Sequence, residues 1–279
     1  MISVRPIILL LLLASSLTPA VADPRWGRVD QPSTGTARVH GFYSAGCLAG
    51  GATLPLAGEG YQVMRSSRNR FYGHPSLIAY VENLGRQAAA HGVQLLVGDL
   101  SQPRGGPMSF GHASHQVGLD VDIWLTLLPA GNRLSRQQTE DWDMLTVVDK
   151  YHGVLRQDRW TLRHRDILQM AAASPLVERI FVNPIIKLGL CRSEADTRWL
   201  RKLRPWWGHD AHFHVRLTCP VESPACRAQD PVPPGDGCEG VEDWVAEIVA
   251  LTRNPPEPGP RRPRKPKVLP EVCEVVVSG

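Results

Sequence analysis

Six cysteines behind an export leader constrain this 279-residue chain more than any other feature of its sequence. Arg5 supplies a positive start, Ile7 to Ala14 a short apolar run, and Ala20-Val21-Ala22 a small-x-small cleavage site. The pattern predicts a signal peptide over residues 1–22, removed on export, with the mature chain starting at Asp23. The apolar run is too short to span a bilayer, and the mature chain holds no stretch of about 20 apolar residues that would. Cys47, Cys191, Cys219, Cys226, Cys238 and Cys273 are therefore expected as three disulfides in an oxidising compartment. Many pairings are open at this point. Cys219 and Cys226, with Pro220 and Pro224 bending the chain between them, are the easiest pair to join. No CxxC occurs, which argues against a thiolate zinc site and a thioredoxin-like redox role.

Composition excludes a disordered or fibrous chain, since 43% of residues are hydrophobic and 21% charged. The net charge of +4 looks like a nucleic-acid signal until it is located. Arg5, Arg261, Arg262, Arg264, Lys265 and Lys267 account for more than the whole excess, and the rest carries a net −2. Nucleic acid is excluded as a partner on that ground. Residues 23–60 read as an irregular, Gly- and Pro-rich N-terminal wrap. Helical spacing and a Gly92 stop predict a helix over Pro75–His91, followed by a strand over Val93–Val97 and a Gly/Pro loop over Gly98–Pro107. Strands are expected over Leu119–Leu125, Val177–Val182 and Ala211–Leu217, the second broken by Asn183-Pro184. Helices are expected over Thr139–Leu155, His164–Ala173, Thr197–Arg204 and Asp243–Arg253. Without a strict strand–helix alternation the class is α+β, a small mixed or antiparallel sheet with helices and long loops, stapled by disulfides. Residues 23–253 are taken as one domain, and 254–279 as a Pro-rich, basic tail tied back through Cys273.

The chemistry concentrates in two segments that hold five of the ten histidines. GHASHQVGLDVDIW carries His112, His115 and Asp122; WWGHDAHFHVR carries His209, His212 and His214. Histidine and aspartate are good zinc ligands, and a catalytic zinc takes three protein ligands and leaves a position for water. His212 and His214 are two apart, so on a strand both face one site. Arg216 shares that face and is expected as an exposed residue at a strand end, with pairing to a substrate carboxylate as its functional reading. Trp206 and Trp207 are expected in the core, with ring stacking or a cleft wall as the alternative. GxSxG, HExxH and P-loop signatures are missing.

The pattern H-x6-D followed far downstream by H-x-H resembles the LAS group of zinc metallopeptidases. The two histidine segments, with LPLAGEGYQVMR, FYGHP and VNPIIKLGLC, resemble the penicillin-insensitive murein endopeptidase family over nearly the whole mature chain. The resemblance implies Zn2+ held by His115, Asp122 and His214, with His212 as general base or transition-state stabiliser. It implies His209 as a second active-site histidine on the same loop, and His112 at the rim as an auxiliary ligand. It implies disulfides Cys47–Cys273, Cys191–Cys238 and Cys219–Cys226. The implied substrate is periplasmic peptidoglycan, cut at the D-alanyl–meso-diaminopimelyl cross-link by zinc-activated water rather than a serine that penicillin acylates. A D-Ala-D-Ala carboxypeptidase and a non-catalytic zinc-containing wall-binding module are the alternatives. Asp149 and His152, at i, i+3 in the expected helix over Thr139–Leu155, match residues that can hold a second metal. They are expected to line the cleft, with any metal there dispensable.

Overall fold

The computed structural model describes residues 24–257, 259 and 267–279. The leader reading and the basic run Arg261–Lys265 lie outside the described residues. Two strands decide where the chemistry goes. Along Asp120–Trp124, Val121 and Ile123 point into the core and Asp120 and Asp122 to the other face. Along His212–Leu217, Phe213, Val215 and Leu217 are core, and His212, His214 and Arg216 take the opposite face. The strands pair antiparallel with His214 opposite Asp122 and Arg216 opposite Asp120. Facing residues in such a pair are neighbours, so two segments far apart in sequence share one surface.

These strands are the centre of an eight-stranded mixed sheet. Its order is Leu203–Pro205, Val177–Val182, His212–Leu217, Asp120–Trp124, Val93–Val97, Tyr61–Val63 and Ala57–Gly58, with Leu128–Pro129 also pairing with Val93–Val97. Pairing is parallel between Val177–Val182 and Leu203–Pro205 and between Tyr61–Val63 and Val93–Val97, and antiparallel elsewhere in the sheet. Helix α1 (Pro75–Ala90) buries Leu77, Val81, Leu84 and Ala88 against it, and its chain leaves through Gly92 at φ 72°. Each such leucine or valine contributes about 1.5–3 kcal/mol on burial. Helix α2 (Arg136–Asp141) opens on a Ser135–Gln138 capping box. Helix α3 (Leu162–Ala173) adds Ile167, Leu168 and Ala171 to the core, and α5 (Val241–Arg253) packs on α4 (Pro184–Ser193). The class is α+β, and no helix among the described residues is long and apolar enough to cross a membrane.

Several elements differ from the sequence expectation. Thr139–Leu155 is no helix. Helix α2 ends at Asp141, and Trp142 turns extended and packs against Met64, Leu96 and Trp124. Beyond it Val148–Asp149 and Val154–Leu155 form a hairpin whose turn closes on Gly153 at φ 70°. Asn183-Pro184 does not merely break a strand. The Asn183 Oδ1 accepts from Ile185 N at 2.9 Å, and Pro184 takes the first helical position of α4. Thr197–Arg204 shrinks to a 3-10 turn over Arg198–Lys202. The N-terminal wrap contains an antiparallel hairpin, Arg38–Phe42 with Ala45–Ala49, which its Gly-rich composition hides.

All six cysteines are paired, as Cys47–Cys273, Cys191–Cys238 and Cys219–Cys226. The tail is more than a strap: it ends in α6 (Val272–Ser278), whose Val276 and Val277 pack with Trp26 around Cys47–Cys273. Arg104 Nη1 donates to the carbonyls of Val276 and Val277 at 3.0 and 3.2 Å. A crosslink spanning 226 positions restricts the unfolded chain strongly. The Cys47→Ala, Cys273→Ala double variant is expected to lose about 2–4 kcal/mol. Denaturant midpoints measure this, and an unchanged midpoint would show that the α6 contacts alone hold the tail.

Candidate active site

The loop Phe110–Leu119 feeds the Asp120–Trp124 strand and carries His112 and His115. His115 lies in the left-handed region at φ 66°, where its backbone N–H donates to Asp120 Oδ2 at 3.0 Å. The neighbouring loop comes so close that a Cβ on Gly105 would stand 2.0 Å from Gln116 O. The fully buried His115 ring donates from Nδ1 to Leu100 O at 3.0 Å, which aims Nε2 at Asp122. His115 Nε2 and Asp122 Oδ1 are 3.3 Å apart, and His214 Nδ1 is also 3.3 Å from Asp122 Oδ1. Among the described residues neither His115 Nε2 nor Asp122 Oδ1 has a hydrogen-bond partner, although both are buried. Two buried polar atoms left in this way are costly unless a ligand takes them. Ligands at zinc distances on a tetrahedron lie about 3.3–3.5 Å apart, so the two measured separations fit a zinc ion.

His112 belongs to the same cluster. Ligand atoms of His112, His115 and Asp122 all lie within 4.8 Å of one another. His112 Nε2, however, is already bonded to Asp99 Oδ2 at 3.1 Å, with Asp122 Oδ2 at 3.4 Å. The cross-strand position of His214 favours it as the third ligand, because it sets Nδ1 3.3 Å from Asp122 Oδ1, while its Nε2 faces Asp120. His212 Nε2 is 3.6 Å from Asp122 Oδ2, and the His209 ring is 5.0 Å from the His212 ring. His209 is held by Nδ1 to Trp207 O at 2.9 Å and by a left-handed backbone at φ 51°.

The electrostatics set an ionised Asp122 beside two imidazoles, His209 and His212, that burial holds toward the neutral form. Burial works to raise the Asp122 carboxyl, but His212, His115 and His112 outweigh it and hold it well below the usual range. Burial likewise opposes ionisation of Asp120, and Arg216, His214 and His115 overcome it. At His214 burial works downward, while Asp120 and Asp122 raise the imidazole above its ordinary value. Burial, then the neighbouring His212 and His214, push His209 down to about 3. Burial also lowers His212.

Asp120 escaped the sequence reading, although its i, i+2 spacing to Asp122 places it on the site face. It accepts Arg216 Nε at 2.8 Å and Nη2 at 3.2 Å, and lies 3.0 Å from His214 Nε2 without hydrogen-bond angles. Arg216 is accordingly buried, not exposed, and is sandwiched near Tyr43 and Phe181. Trp206 and Trp207 are 54% and 47% exposed and wall a cleft of about 710 Å³, so the core expectation fails for both. Their loop is pinned beside the sheet edge, with Trp206 N donating to Val182 O at 2.9 Å and Asn183 N to His209 O at 3.0 Å. Asp149 and His152 do not join the site. They form an exposed turn pair, Nδ1 to Oδ2 at 2.7 Å, with Asp149 Oδ1 accepting the Tyr151 and His152 N–H groups, and neither lines the cleft. A separate hollow of about 580 Å³ between Leu127, Leu145, Arg159 and Leu162 holds none of the clustered histidines.

Known proteins carry the same arrangement of sequence. The family described as "Penicillin-insensitive murein endopeptidase" matches residues 39–278. A protein of that name from Haemophilus influenzae is 43% identical over 268 residues, covering 92% of this chain and 90% of its own. Those from Klebsiella pneumoniae and Escherichia coli O157:H7 are 40% and 42% identical, each covering 98% of this chain and 97% of its own length. With the match spanning both histidine segments, all six cysteines and the sheet between them, the chain belongs to the penicillin-insensitive murein endopeptidase family.

Proposed function

We propose that the chain is a periplasmic, zinc-dependent murein D,D-endopeptidase that hydrolyses the D-alanyl–meso-diaminopimelyl cross-link of peptidoglycan. The observation that carries the reading is the pair of orphaned buried atoms, His115 Nε2 and Asp122 Oδ1, beneath neutral imidazoles in an open cleft. Zinc held by His115, Asp122 and His214 would supply Lewis acidity at the scissile carbonyl and an acidified water. His212, kept neutral by burial, accepts the proton released on attack and returns it to the leaving amine. His209, also held neutral by burial, lies beside His212 and donates or accepts at the developing charge. Trp206 and Trp207 hold the peptide against the histidines. No serine nucleophile takes part, so a β-lactam has nothing to acylate.

Mass spectrometry of muropeptides tests the reading. Cross-linked dimers are expected to fall to monomers, with a chelator stopping the reaction and penicillin leaving it intact. Release of free D-alanine from uncross-linked pentapeptide, with dimers untouched, would make the chain a carboxypeptidase. An unchanged digest would leave a binding module.

A further inference from the structure

The cleft narrows, beside Asp122 and His212, into a recess of about 40 Å³ flanked by Arg65 and Arg68. One water occupies roughly 10–15 Å³ by such a measure, so the recess takes about three heavy atoms, the size of a carboxylate. The recess has Asp99 and Asp122 in its lining beside Arg65 and Arg68, and the wider cleft it opens from is positive. Arg65, Arg68, Arg216 and Lys267 line the wider cleft, and among the described residues no carboxylate does. Asp99, on the floor of the recess, is already matched by Arg70 at 2.9 Å and Arg68 at 3.2 Å.

Arg65 is placed there at a backbone cost. It is a non-glycine residue at φ 54°, a conformation that persists where surrounding structure enforces it and that clusters at ligand sites. The enforcement is visible. Arg65 N donates to Thr139 O at 2.9 Å, and Glu140 accepts from Ser66 Oγ and Ser67 N at 2.9 and 3.0 Å, which ties the turn to α2. The guanidinium lies over Trp124 at 5.1 Å, and its one hydrogen bond among the described residues is a long contact of 3.5 Å to Trp142 O. A guanidinium fixed by stacking, with its fork of donors largely unspent, suits bidentate capture of a carboxylate.

We propose that Arg65 and Arg68 bind the substrate carboxylate carried on the same carbon as the scissile amide nitrogen. This rests on the D,D-endopeptidase reading, in which diaminopimelate supplies that nitrogen from a carbon that also bears a free carboxylate. The recess then reads the amine side of the cross-link and sets the scissile carbonyl over the histidines.

The test compares two cross-linked muropeptide dimers, one with that carboxylate free and one with it amidated. The zinc-loaded mature chain is expected to show kcat/KM about 10–100-fold higher for the free acid, the scale of a charge-assisted hydrogen bond. Arg65→Gln should lose that factor on the free acid and cleave the two dimers at similar rates, and Arg68→Gln should do so in part. Arg65→Gln and Arg68→Gln both keeping the full wild-type preference would overturn the proposal. Calorimetry of both dimers on chelator-treated chain separates it from the reaction. If neither dimer is cleaved but the free acid binds more tightly, and Arg65→Gln abolishes the difference, the carboxylate site stands and the endopeptidase reading falls. Equal binding of the two dimers by the wild type overturns the site.

Discussion

Alanine at His115 or at His214 is expected to remove bound zinc and turnover together. The His115 ring has no exposed surface and is fixed by Leu100 O, so no other side chain can swing into its place. His214 stands opposite Asp122 in the strand register, where a shift of one position would turn it into the core. Loss of a residue that merely orients a ligand costs about 10–100-fold in metal affinity, and loss of a ligand costs more. The expected fall in zinc affinity therefore exceeds 100-fold or so for both variants, read by competition with a chromogenic chelator. His112→Ala supplies the contrast. Its Nε2 is already committed to Asp99, so the variant should hold zinc within about tenfold of the wild type. The opposite pattern, zinc lost with His112→Ala and kept with His214→Ala, would assign the ion to His112, His115 and Asp122.

The shared face of the residues proposed as ligands was legible because a strand alternates its faces. Once Leu119–Leu125 and Ala211–Leu217 are read as strands, Asp122 and His214 must share their faces with Asp120, His212 and Arg216. What no local pattern carries is the partner strand, and so the ion pair that makes Arg216 a buried residue was invisible. The helix ends fell where capping chemistry is strong, as at Pro75 and Gly92. They failed where one signal has two meanings. Asn-Pro stops a strand and also starts a helix, and at Asn183-Pro184 it does both. Asp149 and His152 fit helical spacing, yet an i, i+3 pair also closes a tight turn, and tertiary packing of Trp142 had already ended the helix. The recess was the least legible part. Arg65, Asp99, His112 and His212 come from four separate segments, and only the fold brings them together.

The His212→Ala variant is expected to keep its zinc and lose about 10²–10⁴-fold in rate, the usual contribution of a positioned acid–base group. His212 sits at the start of its strand, on the same face as His214 and two positions before it, opposite Trp124. Its Nε2 faces Asp122 Oδ2, while the orphaned oxygen toward His115 is Oδ1. The ring is thus offered the outer side of the carboxylate and not the inner one where the ligand atoms converge. Burial keeps it neutral, the form that accepts a proton, and His209 beside it is neutral for the same reason. A neighbouring neutral imidazole can carry part of the proton traffic, so adding His209→Ala to His212→Ala should cost less than the two single losses multiplied. Groups that act as one unit fail additivity in this way. Zinc content measured beside kcat decides the role. Rate lost with the metal in place makes His212 the acid–base group, and rate lost because the metal has gone makes it a ligand.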